Sequence, residues 1–384
     1  KVAICDQLEA PVAGKLVRRG LTRILTPGTA LEDSQLDSRR GNYLAAISWD
    51  KQGWHASWLD VSTADFRLAT DVSPARLLPL LHSVSPREVI LPEGLEPPAE
   101  DREALEVFLQ GRATSRLPGW NFDGAAGARL VAQTLSVHGL AGFGLTDEHP
   151  ALGAAGAVLG YVTDSLCDRP KNLFRLIETK LGSAVLLDAA SSRNLELFAS
   201  SNGSREGSLL ETIDRTETPS GARLLALWLA EPSTDLVTIA QRQNAVGEFF
   251  KHPGASSRVG EALRGVRDIA RILARLQNRL RNPRELGGVR DTLRSLPPIR
   301  EELLALPGAA LAEQAGRINP EPELLARLEA ALGDELPVDL SEGGALRAGF
   351  DAELDRLRSL ASDSKGWIAE FERNEQNRTG IKSL

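Results

Sequence analysis

Residues whose side chains could do chemistry are few and scattered along the chain. Histidine occurs at His55, His82, His138, His149 and His252, none within helical reach of another, and neither a CxxC nor an HExxH spacing occurs. The usual zinc ligand sets are therefore not written in the sequence. Cys5 and Cys167 are the two cysteines; they are too few for a disulfide framework and fit a reducing cytoplasm. No GxxxxGK[ST] loop is present, since Gly14-Lys15 lacks the upstream Gly and the following Ser or Thr, so ATP is not expected to bind by that route. No catalytic, cofactor-binding or metal-binding residue is expected. The densest charged pattern is the ladder Arg264, Arg267, Arg271, Arg275 and Arg279, set opposite an apolar stripe of Ile269, Ile272, Leu273, Leu276 and Leu280. Either it is a solvated face paired with nearby acids, or it tracks DNA phosphates, with Arg271, Arg275 and Arg279 as the backbone contacts. No aromatic or Gly-rich loop accompanies it, which favours the solvated face. The basic run Lys15, Arg18, Arg19 and Arg23 poses the same choice.

The elements that must position these residues fall into two unlike halves. The chain has 384 residues, 42% hydrophobic and 25% charged, with a net charge of −7. That length holds two or three domains, and that charge makes any nucleic-acid surface a local one. No apolar run approaches the roughly 20 residues of a membrane span. Residues 1–29 read as a strand-like start, a basic stretch and the turn Thr26-Pro27-Gly28-Thr29, that is, a tail and linker. The runs 42–50, 54–62 and 65–72 are rich in β-formers and predict a three-stranded antiparallel meander. A helix follows with Ser73 as N-cap and Pro74 at its first position, then the strand 88–92 and helices starting near 101, over 123–137 and over 150–166. This order predicts a ribonuclease H-like α/β domain over 30–168.

From 169 to 384 the chain reads as nearly all helix after one short strand at 184–190. Helices are predicted near 206–214, 219–230, 235–251, 257–265, 268–280, 283–296, 321–332 and 351–378. Asn282 and Glu285 have the spacing of a capping box. Phe350, Leu354, Leu357, Ala361, Ser364, Ile368 and Phe371 form a heptad-like seam on a last helix roughly 40 Å long. The fold class is thus α/β plus all-α, a ribonuclease H-like domain followed by a long-helix bundle.

A ribonuclease H-like sheet raises the possibility of a two-metal nuclease, which needs several carboxylates, one of them inside the first strand. The first strand here holds only Asp50, at its far end, and Asp60 and Asp65 flank a tight turn where Asp satisfies backbone groups. The sheet reads better as a scaffold. Trp54 and Trp58 are assigned to the core, and so is Trp228, four residues after Leu224 on an apolar helix face. Thr218-Pro219 is a helix start, and the small Gly221 and Ala222 would allow another helix to approach.

The segment TPSGARLLALWL (218–229) resembles the start of the core domain of the MutS family of DNA mismatch-recognition ATPases. Others agree in the family's order: KVAICDQ (1–7) with the end of its mismatch-binding domain, LTPGT (25–29) with the following linker, and NYLAAI (42–47) and WLDVSTADF (58–66) with its connector. LLDAASSRNLEL (186–197), GSLLETIDRT (207–216), DIARILARL (268–276), NPREL (282–286) and NRTGIKSL (377–384) resemble its core, or lever. Ser220 stands where the family usually has methionine. The resemblance implies three parts: the end of the mismatch-binding domain with its linker (1–29), the connector (30–168) and a core/lever cut before the clamp (169–384). It implies no mismatch-reading Phe-x-Glu motif, clamp tip or ATPase in this chain. A longer, homodimeric, cytoplasmic parent would use ATP and Mg²⁺ and act on double-stranded DNA. The connector would help recruit MutL, and the family's docking segment aligns with 120–144, which makes Arg129, Leu130 and Gln133 the candidate contacts. The alternatives are an independent nuclease and a stand-alone DNA-binding scaffold.

Overall fold

The structure, a computed structural model, describes residues 1–9, 16–182, 184–278, 282–362 and 364–380. The chain opens with an antiparallel hairpin of β1 (Val2–Gln7) and β2 (Arg19–Leu25). Part of the expected tail is therefore strand: Arg19 and Arg23 lie in β2, while Lys15 is outside the described residues. The next turn is buried rather than loose. The hydroxyls of Thr26 and Thr29 meet at 2.9 Å, and the Gly28 amide donates to the buried Glu88 carboxylate at 3.1 Å. Glu88 also accepts from the hydroxyls of Ser115 and Tyr161, so a buried acid fastens the turn to the sheet.

β3 (Leu44–Asp50), β4 (Gly53–Asp60) and β5 (Asp65–Asp71) form the expected antiparallel meander. After α1 (Pro74–Val84), capped by Ser73, β6 (Glu88–Pro92) pairs parallel with β3. After α2 (Arg102–Leu109), β7 (Ala113–Leu117) pairs parallel with β6. Then come α3 (Gly124–Thr134), α4 (Leu152–Leu166) and the two-residue β8 (Ile177–Glu178), parallel to β5. The strand order is β7-β6-β3-β4-β5-β8. Neither β7 nor β8 is announced by the sequence: ATSRL lacks the alternation of a half-buried strand, and two residues carry no period.

Successive residues point to opposite faces, and both faces are covered. Leu44, Ala46, Leu59, Phe66 and Ile90 join α3 and α4 in one core. Ala45, Ile47, Trp54, Trp58 and Val89 join α1 and α2 in the other. The α3–α4 contact depends on glycine. A Cβ on Gly127 would lie 2.1 Å from the Leu152 carbonyl oxygen, and one on Gly153 would lie 2.1 Å from that of Phe122. The two helix backbones thus meet directly.

The second part holds α5 (Ala189–Asn194), α6 (Leu209–Ile213), α7 (Pro219–Ala230), α8 (Leu236–Lys251), α9 (Pro253–Leu263), α10 (Ile269–Gln277), α11 (Pro283–Ala305), α12 (Ala309–Arg317), α13 (Pro322–Ala331), α14 (Ala352–Ser362) and α15 (Ser364–Thr379). The expected strand at 184–190 is instead one bridge, Ala184 to Ser233, followed by a helix, because the Asp188 carboxylate accepts the Ser191 amide and caps α5. The helix expected to stop at 296 runs on through Pro297 and Pro298 to Ala305, carried by the burial of Ile299 and Leu303 against α9 and α12. The predicted capping box is only half made. Asn282 accepts the Arg284 amide, but the Glu285 carboxylate is drawn away to Arg275. The single helix expected over 351–378 is represented by α14 and α15, on either side of residue 363, and its seam residues Leu357, Ile368 and Phe371 are about half exposed. Trp228 is not core either: it is 40% exposed, with the Arg242 guanidinium 3.7 Å from its ring centre.

Candidate functional site

Between β2 and β3 the chain crosses residues 33–43, and α10 grips this crossing with arginines. On a helix, positions four apart share a face, so Arg271 and Arg275 point the same way. That face is turned inward. Arg271 is 1% exposed and Arg275 is 7% exposed, while Leu273 is 44% exposed. The solvent-facing ladder suggested by the sequence is thus inverted at two of its rungs. Arg264 stays outside, paired with Glu217, and Arg279 lies outside the described residues.

Arg271 donates to the carbonyl oxygens of Asp37 at 3.0 Å and Arg40 at 2.7 Å. Its Nε is buried without a hydrogen-bond partner, 3.8 Å from the Asp268 carboxylate. Burial lowers its pKa, and the nearby Asp60 and Asp268 charges only partly offset this. Arg275 forms a two-point pair with Glu285 at 2.7 and 2.9 Å and also bonds Asp33. Burial opposes its charge, but Glu285 and Asp33 outweigh it and hold the guanidinium above its ordinary pKa. A cation this enclosed is tolerated only with such partners.

Three further arginines join the same crossing. Arg223 of α7 makes a two-point pair with Asp268 at 2.7 and 2.9 Å and donates to the Ser38 carbonyl at 2.7 Å. From the crossing itself, Arg39 reaches Asp214 at 2.7 Å and the Thr216 hydroxyl at 2.8 Å, and Arg205 bonds the other Asp214 oxygen at 2.7 Å. Burial pushes the Asp214 carboxyl up, but the hydrogen bonds from Thr216 and Arg39 win and hold it at about 2.

On the sheet side, Asp60 ends β4 and is fully buried. It accepts the amides of Asn42 and Ser62, each at 2.9 Å, and the Ser62 hydroxyl at 2.6 Å. Burial raises its pKa against those bonds and the Arg271 charge. Asn172 donates to the Val61 carbonyl at 2.6 Å and accepts from Asn278, the C-cap of α10, at 3.1 Å. A continuous polar chain therefore runs from the end of β4 to the end of α10.

The acids weighed for a nuclease are each engaged in the fold: Asp50 with His55 at 3.0 Å, Asp60 as above, and Asp65 with Tyr43 and Arg67 at 2.8 Å each. Among the described residues, no group of three or more His, Cys, Asp or Glu is placed to hold a metal ion. Arg129 and Gln133 are exposed, one turn apart on α3, and Leu130 between them is half-buried against the sheet core. Gln133 accepts from Arg169 at 3.3 Å. Sequence reasoning missed Arg39, Asp214, Arg223 and Asn172. Asp268, directly before α10, gives no signal of its own, because its partner Arg223 is 45 residues away.

Models of MutS domain I, MutS domain II and MutS domain III match residues 1–34, 42–173 and 190–378. The DNA mismatch repair protein MutS of Symbiobacterium thermophilum is 39% identical over 389 residues, covering 100% of this chain and 44% of the relative. That of Myxococcus xanthus is 36% identical over 386 residues, with 100% and 43% covered. That of Chlorobaculum tepidum is 36% identical over 391 residues, with 100% and 44% covered. The chain spans less than half the length of these relatives.

Proposed function

The chain belongs to the MutS family of DNA mismatch repair proteins, and we propose that it works as a connector and lever, passing conformational change between parts of a longer mismatch-recognition ATPase. The arginine joint carries this proposal. Asp33 lies in the domain I match, Asp60 and Asn172 in the domain II match, and Arg271 and Arg275 in the domain III match. Arg275 of α10 bonds Asp33, the α10 C-cap Asn278 bonds Asn172, and Asp60 acts on Arg271 by charge, so this one short helix meets the other two parts through polar groups. Coupling over distance needs rigid elements with a small number of packed arrangements, and buried charges that must stay paired allow few.

In this proposal the sheet domain is a ribonuclease H-like connector used as a scaffold. The engagement of Asp50, Asp60 and Asp65 in the fold favours that over a nuclease. Arg271 and Arg275 are committed within the joint, so they are not offered as phosphate contacts. Double-stranded DNA would be held by the longer, homodimeric protein. ATP and Mg²⁺ would belong there too, and since this chain has no GxxxxGK[ST] loop, it is assigned no step with them. MutL is the proposed partner of the connector, at Arg129 and Gln133 with Leu130 between them. No helix among the described residues is long and apolar enough to cross a membrane, and a cytoplasmic setting is proposed.

The test is Arg271→Met in the longer protein. Mismatched DNA is expected to bind as before, while the change in ATP turnover on mismatch binding is lost. Unchanged stimulation of turnover would sink the lever assignment.

A further inference from the structure

Beside the joint, between the sheet domain and the helical part, lies a cavity of about 770 Å³, a size that suits small organic ligands. Its walls come from β4, β5 and the end of α1 on one side and from α5, α6 and α7 on the other. Its described lining holds seven arginines and one histidine against three acids. Five of those arginines already have carboxylate partners. Arg39 and Arg205 share Asp214, and Arg40, Arg67 and Arg223 pair with Asp37, Asp65 and Asp268. For Arg87 and Arg193, no hydrogen bond or ion pair of the guanidinium occurs among the described residues, and both side chains are exposed.

Arg193 stands near His82. Burial, then the charges of Arg112 and Arg193, lowers the His82 pKa, with Asp188 acting in the opposite sense. Asp60 and Asp65 are engaged as described, and Glu231 accepts from Ser83 at 3.4 Å. The helical wall is apolar, formed by Phe198, Leu210, Leu224 and Leu227, and Leu224 is 45% exposed. An unpaired cation, Arg193, and apolar surface share the helical wall, with Arg87 on the sheet side, and this lining matches a molecule with an anionic group and an apolar body.

We propose that this cavity binds a small organic anion, with its carboxylate, sulfonate or phosphate group at Arg193 and its apolar body against Leu210, Leu224 and Leu227.

The test uses the 384-residue chain and anilinonaphthalene sulfonate, an aromatic body with one anionic group, followed by fluorescence titration. One saturable site is expected, with affinity about tenfold weaker in Arg193→Glu and also reduced in Arg87→Glu. Phenylnaphthylamine, the same body without the sulfonate, is expected to bind about tenfold more weakly than the sulfonate. Both arginines are exposed, so thermal midpoints should hold, and Arg193→Gln provides a milder variant that should also lose affinity. Equal affinity in the wild type and all three variants, equal binding of the neutral dye, or saturation only at several dyes per chain would each overturn the proposal. The last two would place the dye on exposed apolar surface such as that around Phe250.

Discussion

Arg275 and Glu285 face each other across the start of α11 in a two-point ion pair, 2.7 and 2.9 Å long, with both side chains largely out of solvent. Taking charges out of water is costly, and the pairing offsets that cost only while both partners remain. Arg275→Met leaves Glu285 enclosed and unpaired and frees Asp33 of the crossing from α10. The expected loss is about 3 kcal/mol. Replacing both residues, Arg275→Met with Glu285→Met, should cost less than the sum of the singles. Thermal unfolding of the four proteins in a double-mutant cycle checks this, and additive losses would show that the two side chains act independently.

Asp214 gives the joint a pH dependence of known sign. Its folded pKa is about 2, below the ordinary value of about 3.9. A carboxyl depressed on folding contributes stability that is fully present above its unfolded pKa. That stability is lost as pH falls toward the folded value. The thermal midpoint should therefore drop between about pH 4 and pH 2. Asp214→Asn should flatten that part of the profile while lowering the midpoint at pH 7, where Arg39 and Arg205 lose their shared partner. Asp60 works in the opposite sense, because burial raises its pKa, so the variant profile should retain a small rise on acidification through the range of that group. An unchanged slope in Asp214→Asn would place the acid sensitivity elsewhere.

Gly127→Ala should be among the most damaging single methyl additions in the sheet domain. The added Cβ would sit 2.1 Å from the Leu152 carbonyl oxygen, and backbone on α4 cannot swing aside as a long side chain can. Overpacking of this kind costs roughly 1–3 kcal/mol. Gly124→Ala, on the same helix with nothing within 4 Å of the added atom, is the control and should be neutral or mildly stabilising. Differential scanning calorimetry separates the two, and equal midpoints would mean that α3 and α4 part easily.

The sheet was legible in the sequence because a period of two, with apolar residues on both faces, leaves few alternatives for 42–72. The helix starts at Pro74 and Pro219 were legible because Ser73 and Thr218 cap them through amide contacts local to the chain. The joint was not. Periodicity shows which residues of α10 share a face, but not what that face meets. Hydropathy then assigns the arginines to water and Leu273 to the core, the reverse of the structure. The signal that decides the matter is a set of backbone carbonyls at Asp37, Ser38 and Arg40, more than 180 residues away in the chain, and carbonyls have no sequence signature. Trp228 failed for a related reason: an aromatic on an apolar stripe can be covered by one arginine, here Arg242, as well as by a core.

The docking proposal makes the last prediction. Arg129 and Gln133 are exposed and one turn apart on α3, so their substitution should leave the fold intact. Leu130 is half-buried against Val131's core, so changing it would confuse binding with stability. Arg129→Glu reverses a charge that long-range attraction would use, and should slow association with MutL. Gln133→Glu adds a charge beside Arg169, which Gln133 already contacts, and can strengthen that local contact while weakening docking. Loss of about tenfold in affinity for Arg129→Glu is expected if the residue meets an acidic group on the partner. Surface plasmon resonance with MutL, read as association rate against salt, checks it. Variant and wild type with the same rate and the same salt slope would remove α3 as the docking face and leave the connector as a mechanical element of the joint.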